Sequence, residues 1–262
     1  MDLGLADRHV LITGGSKGIG LSCALQFLRE GARVSIVSRS KSNLEQAEAT
    51  LRKEGYTCMS HMADVADPAA ALRAIDEAEK ASGPIDILVN SAGAAAQMPF
   101  AELTPTAWQD AFSSKFMTYM NVMDPLIKRM GSRGRGAIVN VVGFGGKVPS
   151  IHHLAGGAAN AALMLATAGL ASAYGRLGVR VNAVNPATTL TQRTALGLEA
   201  DARQRNITTE ESLRQKNSKA ALGRIAAPEE IADAVVYLAS TRASYISGAI
   251  VSMDGATVPM VV

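Results

Sequence analysis

Aromatic residues make up only 4 % of this 262-residue chain, with a single tryptophan, and there are two cysteines. Cys23 lies in a helical pattern and Cys58 in a strand pattern, neither with metal-ligand spacing. Both read as small buried residues, so no disulfide and no metal site is expected. No apolar run reaches the roughly 20 residues that cross a bilayer, so no membrane partner is expected. The opening "MDLGLADRHVLITGG" lacks a basic region followed by a long apolar stretch and a small-residue cleavage site, which makes the cytoplasm the expected location. Charge of either sign is also sparse. The formal net charge of +3 is spread along the chain, with short groups such as "GSRGRG" that read as loop. Nucleic-acid proteins concentrate a stronger basic face, so no nucleic-acid partner is expected.

What the chain does have is alternation. Short β-branched runs ("HVLIT", "RVSIV", "TCMSHMA", "IDILVN", "AIVNVV", "VRVNAVNP", "AIVSMD") are separated by alanine-, leucine- and charge-rich helical patterns. Such alternation predicts a doubly wound parallel sheet with helices on both faces, an α/β fold. The nearly continuous apolar strands agree, because parallel strands are buried on both sides. Length and the absence of internal repeats fit a single domain over 1–262. Asp67 before Pro68 reads as a helix cap with proline at the first position, and Gly31 and Gly55 as helix stops. The least regular segment, 187–220, is polar and threonine-rich and is expected to form a lid on the substrate side.

The first strand runs into "TGGSKGIG", with Gly14, Gly18 and Gly20 spaced G-x-x-x-G-x-G around Ser16, Lys17 and Ile19. Glycines there let the backbone turn tightly and approach a pyrophosphate at the start of the following helix, whose amides attract negative charge. A glycine loop alone is a weak signal, but its place after the first strand makes nucleotide binding the better reading.

With "TGGSKGIG" the chain resembles the short-chain dehydrogenase/reductase family, and the likeness runs almost end to end. It is carried also by "ADV" at 63–65, "NSAG" at 90–93, "VRVNAVNP" at 179–186 and "YISGAIVSMDGA" at 245–256. Members similar to 3-oxoacyl-acyl-carrier-protein reductases are the nearest in character. The resemblance implies a Rossmann fold in which Asp64 and Val65 border the adenine, Asn90 braces the central strand and Thr191 holds the nicotinamide carboxamide. Ala92 and Gly93 of "NSAG" and Pro186 belong to the same cofactor surface, although Ala187 stands where the family usually has glycine. It also implies a homotetramer built from the long helices over 104–130 and 150–176, with the last helix and the "AIVSMDGA" strand forming a second contact. At the end of the second strand, Ser38 and Arg39, with Lys17 in the glycine loop, present two cations and no carboxylate. An acidic residue there would bind the ribose hydroxyls of NAD, whereas cations attract the extra phosphate, so NADP(H) is the expected cofactor.

At the chemical end the family uses a tyrosine to exchange a proton with the carbonyl oxygen. A neighbouring lysine lowers its pKa from about 10, a serine orients the same oxygen and an asparagine supports a proton path. Counted from Trp108, the asparagine position falls on Lys115. Counted from "GRGAIVNVV", the serine position falls on Gly143. In "HHLAGGAANAAL" (152–163) the tyrosine and lysine positions fall on Gly156 and Asn160. Lysine and asparagine have thus exchanged places, leaving one cation and one amide. Glycines at 156 and 157 cost a helix roughly 1 kcal/mol each relative to alanine, which suggests that something needs the space. His153, at the helix entry, titrates near neutrality and could replace the phenol, although a lone loop histidine is usually ordinary surface. His152 does not pair with it as a metal site. Tyr119 shares a helix face with Lys115 and reads as packing, and Tyr174 lies too far along its helix. The expectation is an NADP(H)-dependent oxidoreductase acting on a carbonyl or alcohol substrate with Lys115, His153 and Asn160 as candidate catalytic residues. The alternative is a catalytically inactive dinucleotide sensor, or a structural subunit that pairs with an active relative.

Overall fold

The structure, a computed structural model, describes residues 1–93 and 95–258; residue 94 and residues 259–262 of the expected 1–262 domain lie outside the described residues. Strands and helices alternate as β1 (His9–Thr13), α1 (Gly18–Arg29), β2 (Arg33–Ser38), α2 (Lys41–Lys53), β3 (Met59–Met62), α3 (Pro68–Ser82) and β4 (Ile87–Asn90). There follow α4 (Pro105–Ala111), α5 (Thr118–Ser132), β5 (Gly136–Val141), α6 (Leu154–Tyr174), β6 (Val179–Pro186), α7 (Gln192–Arg205), α8 (Thr209–Asn217), α9 (Pro228–Ala239) and β7 (Ile250–Met253). The seven strands form one parallel sheet in the order β3-β2-β1-β4-β5-β6-β7.

Period-two alternation sorts the inner strands between two cores. In β1, Val10 and Ile12 pack with Phe27 of α1, Leu51 of α2 and Ile231 of α9. Leu11 between them faces the opposite core, with Ile75 of α3, Leu126 of α5 and Val181 of β6. The sheet is therefore covered on both sides, which is why its strands read as apolar runs. Asp67 caps α3 by accepting from the Ala69 amide, with Pro68 at the first helical position. Strand order reverses between β1 and β4, and at that crevice a doubly wound sheet exposes the carboxyl ends of its strands to a ligand.

A buried polar line runs beneath the crevice. Asn90 Nδ2 donates to Asn140 Oδ1 at 3.0 Å, and Asn140 Nδ2 donates to Thr167 Oγ1 of α6 at 3.0 Å. These bonds tie β4, β5 and α6 together just below the candidate site.

Three expectations need correction. The stretch Leu154–Leu177 is, by length and composition alone, long and apolar enough to cross a membrane. Its alanines and glycines hide that in a residue-by-residue reading. In the fold it is a sheet-packed helix that buries Ala159, Leu163, Thr167 and Ala171. The segment 187–220 is not irregular, since it holds α7 and α8. Thr191 caps α7 by accepting from Thr194 N, and Thr208 caps α8 by accepting from Glu211 N. Both helices are polar on most faces, so they lack the apolar period by which a helix is recognised. Cys58 precedes β3 rather than lying in it and is only half-buried, whereas Cys23 is fully buried in α1.

Candidate active site

The glycine loop between β1 and α1 is built for close approach. Gly14 has φ +67°, and a Cβ there would lie 2.9 Å from the Ala92 backbone. A Cβ on Gly20 would meet the Gly14 carbonyl at 2.3 Å. Among the described residues no side chain caps α1 at Lys17, so the first amides of that helix point from a bare N-terminus. Bare amides at a positive helix end favour an anion. Ser16 Oγ donates to Ser38 Oγ at 3.0 Å, joining the loop to the end of β2. Arg39 is largely exposed and its guanidinium lies 4.0 Å from the Asp64 carboxylate; Lys17 is exposed, and Ile19 packs onto the core. Val65 is buried and its carbonyl accepts from Asn121 Nδ2 at 3.0 Å. Pro186 is the buried last residue of β6, and the Thr191 methyl would lie 3.2 Å from a Cβ on Gly18. The bare amides of α1 and the tight glycine loop fit a phosphate, and Lys17, Ser38 and Arg39 put two cations and a hydroxyl at the β2 end of that loop.

The helical run over 105–132 contains a widened π-helical turn, Phe112–Met117. Such turns insert an extra residue and re-aim side chains, often at functional sites. Here it brings Lys115 inward. The "NSAG" loop presses on the same turn: Gly93 has φ +103°, and a Cβ there would meet the Ser114 carbonyl at 2.6 Å.

Lys115 is only 7 % exposed. Its Nζ donates to Tyr119 Oη at 2.9 Å and to the Val141 carbonyl at 3.3 Å, while the Tyr119 hydroxyl donates to that same carbonyl at 2.5 Å. Burial, reinforced by the positive charge of Arg193, brings the Lys115 ammonium down to about 7. Burial pushes the Tyr119 phenol up, so it stays neutral. Tyr119 is thus buried in the core, but it also holds the lysine head, a task that the i, i+4 spacing suggested only as shared facing.

Gly143 follows β5 with φ +127°, a conformation that residues with a side chain rarely adopt. Its N–H donates to Asn185 Oδ1 at 3.1 Å, and a Cβ on it would lie 3.2 Å from Asn160 Nδ2. Asn160 is buried on α6, so its amide stands at the edge of the space beside Gly143. The two helix glycines leave room that neighbours fill. A Cβ on Gly156 would lie 2.1–2.8 Å from three atoms of the His153 imidazole, and one on Gly157 would meet the Gly145 carbonyl at 2.8 Å. His153 therefore lies over position 156, whereas His152 is exposed. Burial lowers the His153 pKa; the Ala96 backbone opposes this and the Lys115 charge adds to it, so the ring is neutral at pH 7. His153 Nδ1, Asn160 Oδ1 and Asn185 Nδ2 are buried without hydrogen-bond partners among the described residues. Buried polar atoms normally find partners, so free capacity here marks a place for a polar ligand or water. Asn185 and Arg193 were missed in the sequence. Asn185 carried a signal, a polar side chain in a strand buried on both faces, but Arg193 lies in a polar helix and carried none.

Residues 8–201 match the short chain dehydrogenase family, and the chain belongs to it. The chain is 30% identical to gluconate 5-dehydrogenase of Gluconobacter oxydans over 251 residues, covering 96% of this chain and 94% of that one. It superposes with a TM-score of 0.94 on L-sorbose reductase of Gluconobacter frateurii complexed with NADPH and L-sorbose, at 29% identity and with both chains fully covered. An NADPH-bound short chain oxidoreductase of Pseudomonas aeruginosa PAO1, described as containing an atypical catalytic center, is similar at TM-score 0.88 and 30% identity, covering 98% of this chain and 100% of that one.

Proposed function

We propose that this protein is an NADP(H)-dependent oxidoreductase that interconverts a carbonyl and an alcohol, with Lys115 giving and taking the proton at the substrate oxygen. The observation that carries the reading is the buried lysine head, fixed between the Tyr119 hydroxyl and the Val141 carbonyl and brought to about 7. A general acid works best with a pKa near the working pH, which a phenol near 10 reaches only with help and this lysine reaches by burial. Two of the three ammonium hydrogens are used on Tyr119 and Val141, which leaves one for the substrate oxygen. Bound NADPH supplies the hydride. Asn160 orients the substrate through its unpaired amide oxygen. His153, neutral, fills the space over Gly156 and keeps water from it. Lys115, Gly143, Gly156 and Asn160 stand at the four positions where the family carries its asparagine, serine, tyrosine and lysine, so the site is an atypical one. The sugar and sugar-acid substrates named for the similar enzymes direct the substrate reading towards polyols and their oxo forms. Helices α7 and α8 form the lid, and the exposed apolar face of α6 takes part in a homotetramer in the cytoplasm.

The proton role fixes a pH dependence. Carbonyl reduction needs the ammonium, so kcat/KM for reduction is expected to fall as pH rises through about 7, and alcohol oxidation, which needs the free amine, is expected to rise through the same value. Tyr119→Phe removes an acceptor that favours the charged form, so both limbs move to lower pH. Initial rates between pH 5 and 9 on wild type and Tyr119→Phe check this, and limbs that stay fixed in the variant count against the arrangement.

The cofactor preference is assigned to Lys17, Ser38 and Arg39. An exposed ion pair such as Arg39–Asp64 is worth at most about 1 kcal/mol, so Asp64 leaves Arg39 available to a phosphate. NADPH is expected to bind at least about tenfold more tightly than NADH, with Arg39→Ala removing most of the difference. Calorimetric titration measures it, and equal affinities in the wild type would refute the assignment. Tight NADPH binding without turnover of any carbonyl in a broad screen would favour a sensor instead.

A further inference from the structure

The charge around the candidate site is one-sided. Lys115 is buried, yet its two hydrogen-bond partners are a neutral hydroxyl and a backbone carbonyl. Buried cations in proteins are as a rule paired with a carboxylate. The charge that acts on Lys115 is that of another cation, Arg193, and the charge that acts on His153 is that of Lys115. Arg193 lies in the first turn of α7, which contains no acidic residue. That turn abuts the glycine loop, since Thr191, two residues before, reaches Gly18. Among the described residues Arg193 is exposed and has neither an ion pair nor a side-chain hydrogen bond. Three carboxylates on the lid and at the end of β7 are engaged elsewhere. Asp201 holds Arg205 and Ser212, Glu211 holds Arg214 and Gln215, and Asp254 accepts from the amides of Ala256 and Val258.

We infer that the site takes a substrate bearing an acid group as well as its carbonyl or hydroxyl, with Arg193 as the residue that selects it. An anion there supplies the counter-charge that the fold withholds from both cations, and a guanidinium offers it paired N–H donors. The inference rests on the reductase reading above and narrows its substrate class. The shared chemistry is a carboxylate or a phosphate, which the probes separate.

The test uses the full chain loaded with NADPH and matched pairs: 4-oxopentanoate against 4-oxopentanamide, and hydroxyacetone phosphate against hydroxyacetone. Binding is read from NADPH fluorescence and turnover from NADPH absorbance. In at least one pair the acid is expected to bind about tenfold or more tightly than its neutral partner at low salt. Arg193→Met should remove the difference, and Arg193→Lys should keep part of it. Absence of any acid preference, whether both members bind equally or neither binds, overturns the inference. So does an Arg193→Met variant that weakens NADPH while leaving the acid-to-neutral ratio unchanged, because Arg193 would then serve the cofactor. An acid preference without turnover would leave the anion site standing and remove the reductase reading, whereas turnover of both members at equal efficiency would do the reverse.

Discussion

Replacing Lys115 by methionine is expected to lower kcat/KM for carbonyl reduction by roughly 10²–10⁴-fold, the usual contribution of a positioned general acid. Methionine keeps an unbranched chain of similar length in the same buried slot, so the fold should survive. Removing a buried ammonium that is held by neutral partners alone takes away a desolvation cost, so thermal stability at pH 6 is expected to hold or rise. The loss should fall on kcat more than on the NADPH dissociation constant, because Lys115 lies on the helix beyond the glycine loop and not in it. Circular dichroism, NADPH titration and steady-state rates separate these effects. Unchanged turnover in a folded, cofactor-binding variant would exclude Lys115 as the proton donor.

Restoring the family's serine and tyrosine at 143 and 156 is expected to damage the protein rather than repair it. Gly143 sits at φ +127°, and holding a side chain in so sparse a region costs about 1–3 kcal/mol. Gly143→Ser should therefore lower Tm by roughly 2–10 °C in a chain of this size. Its Cβ would also crowd the Asn160 amide. The first side-chain atom of Gly156→Tyr clashes with the His153 ring far inside van der Waals contact, so the imidazole must leave. Overpacking of this kind costs about another 1–3 kcal/mol. Thermal melts and rates on both single variants and the pair check this. A Gly143→Ser, Gly156→Tyr variant as stable as wild type and more active would mean that the two glycines are not part of a rebuilt site.

Much of the scaffold was legible because its signals are local. The apolar runs of the five inner strands report burial on both faces of a parallel sheet, and the glycine loop reports its own turn through positions such as Gly14 and Gly20, where no Cβ fits. Helices α7 and α8 were illegible because they are polar on most faces, and only their threonine caps marked them. At the chemical end, counting from Trp108 and from "GRGAIVNVV" located Lys115 and Gly143. The exchange of lysine and asparagine between 115 and 160 is the signal behind the proposal of a rebuilt site. Pattern could not supply the partners. The role of Tyr119 depends on a hydroxyl that meets the Val141 carbonyl at the carboxyl end of β5, the ring of His153 over Gly156 depends on a loop torsion, and Arg193 arrives from a helix 78 positions along the chain from Lys115.

The most direct measurement is a pH titration of the Lys115 side chain itself by NMR, using ¹³C-labelled lysine in the NADPH-bound protein and assigning the resonance by its loss in Lys115→Met. Lys115 should titrate near 7, at the same pH as the limb of the reductase profile, and that limb should disappear in the variant. A Lys115 resonance that stays fully protonated to pH 9, with the kinetic limb unmoved by its replacement, would contradict a lysine-centred proton transfer.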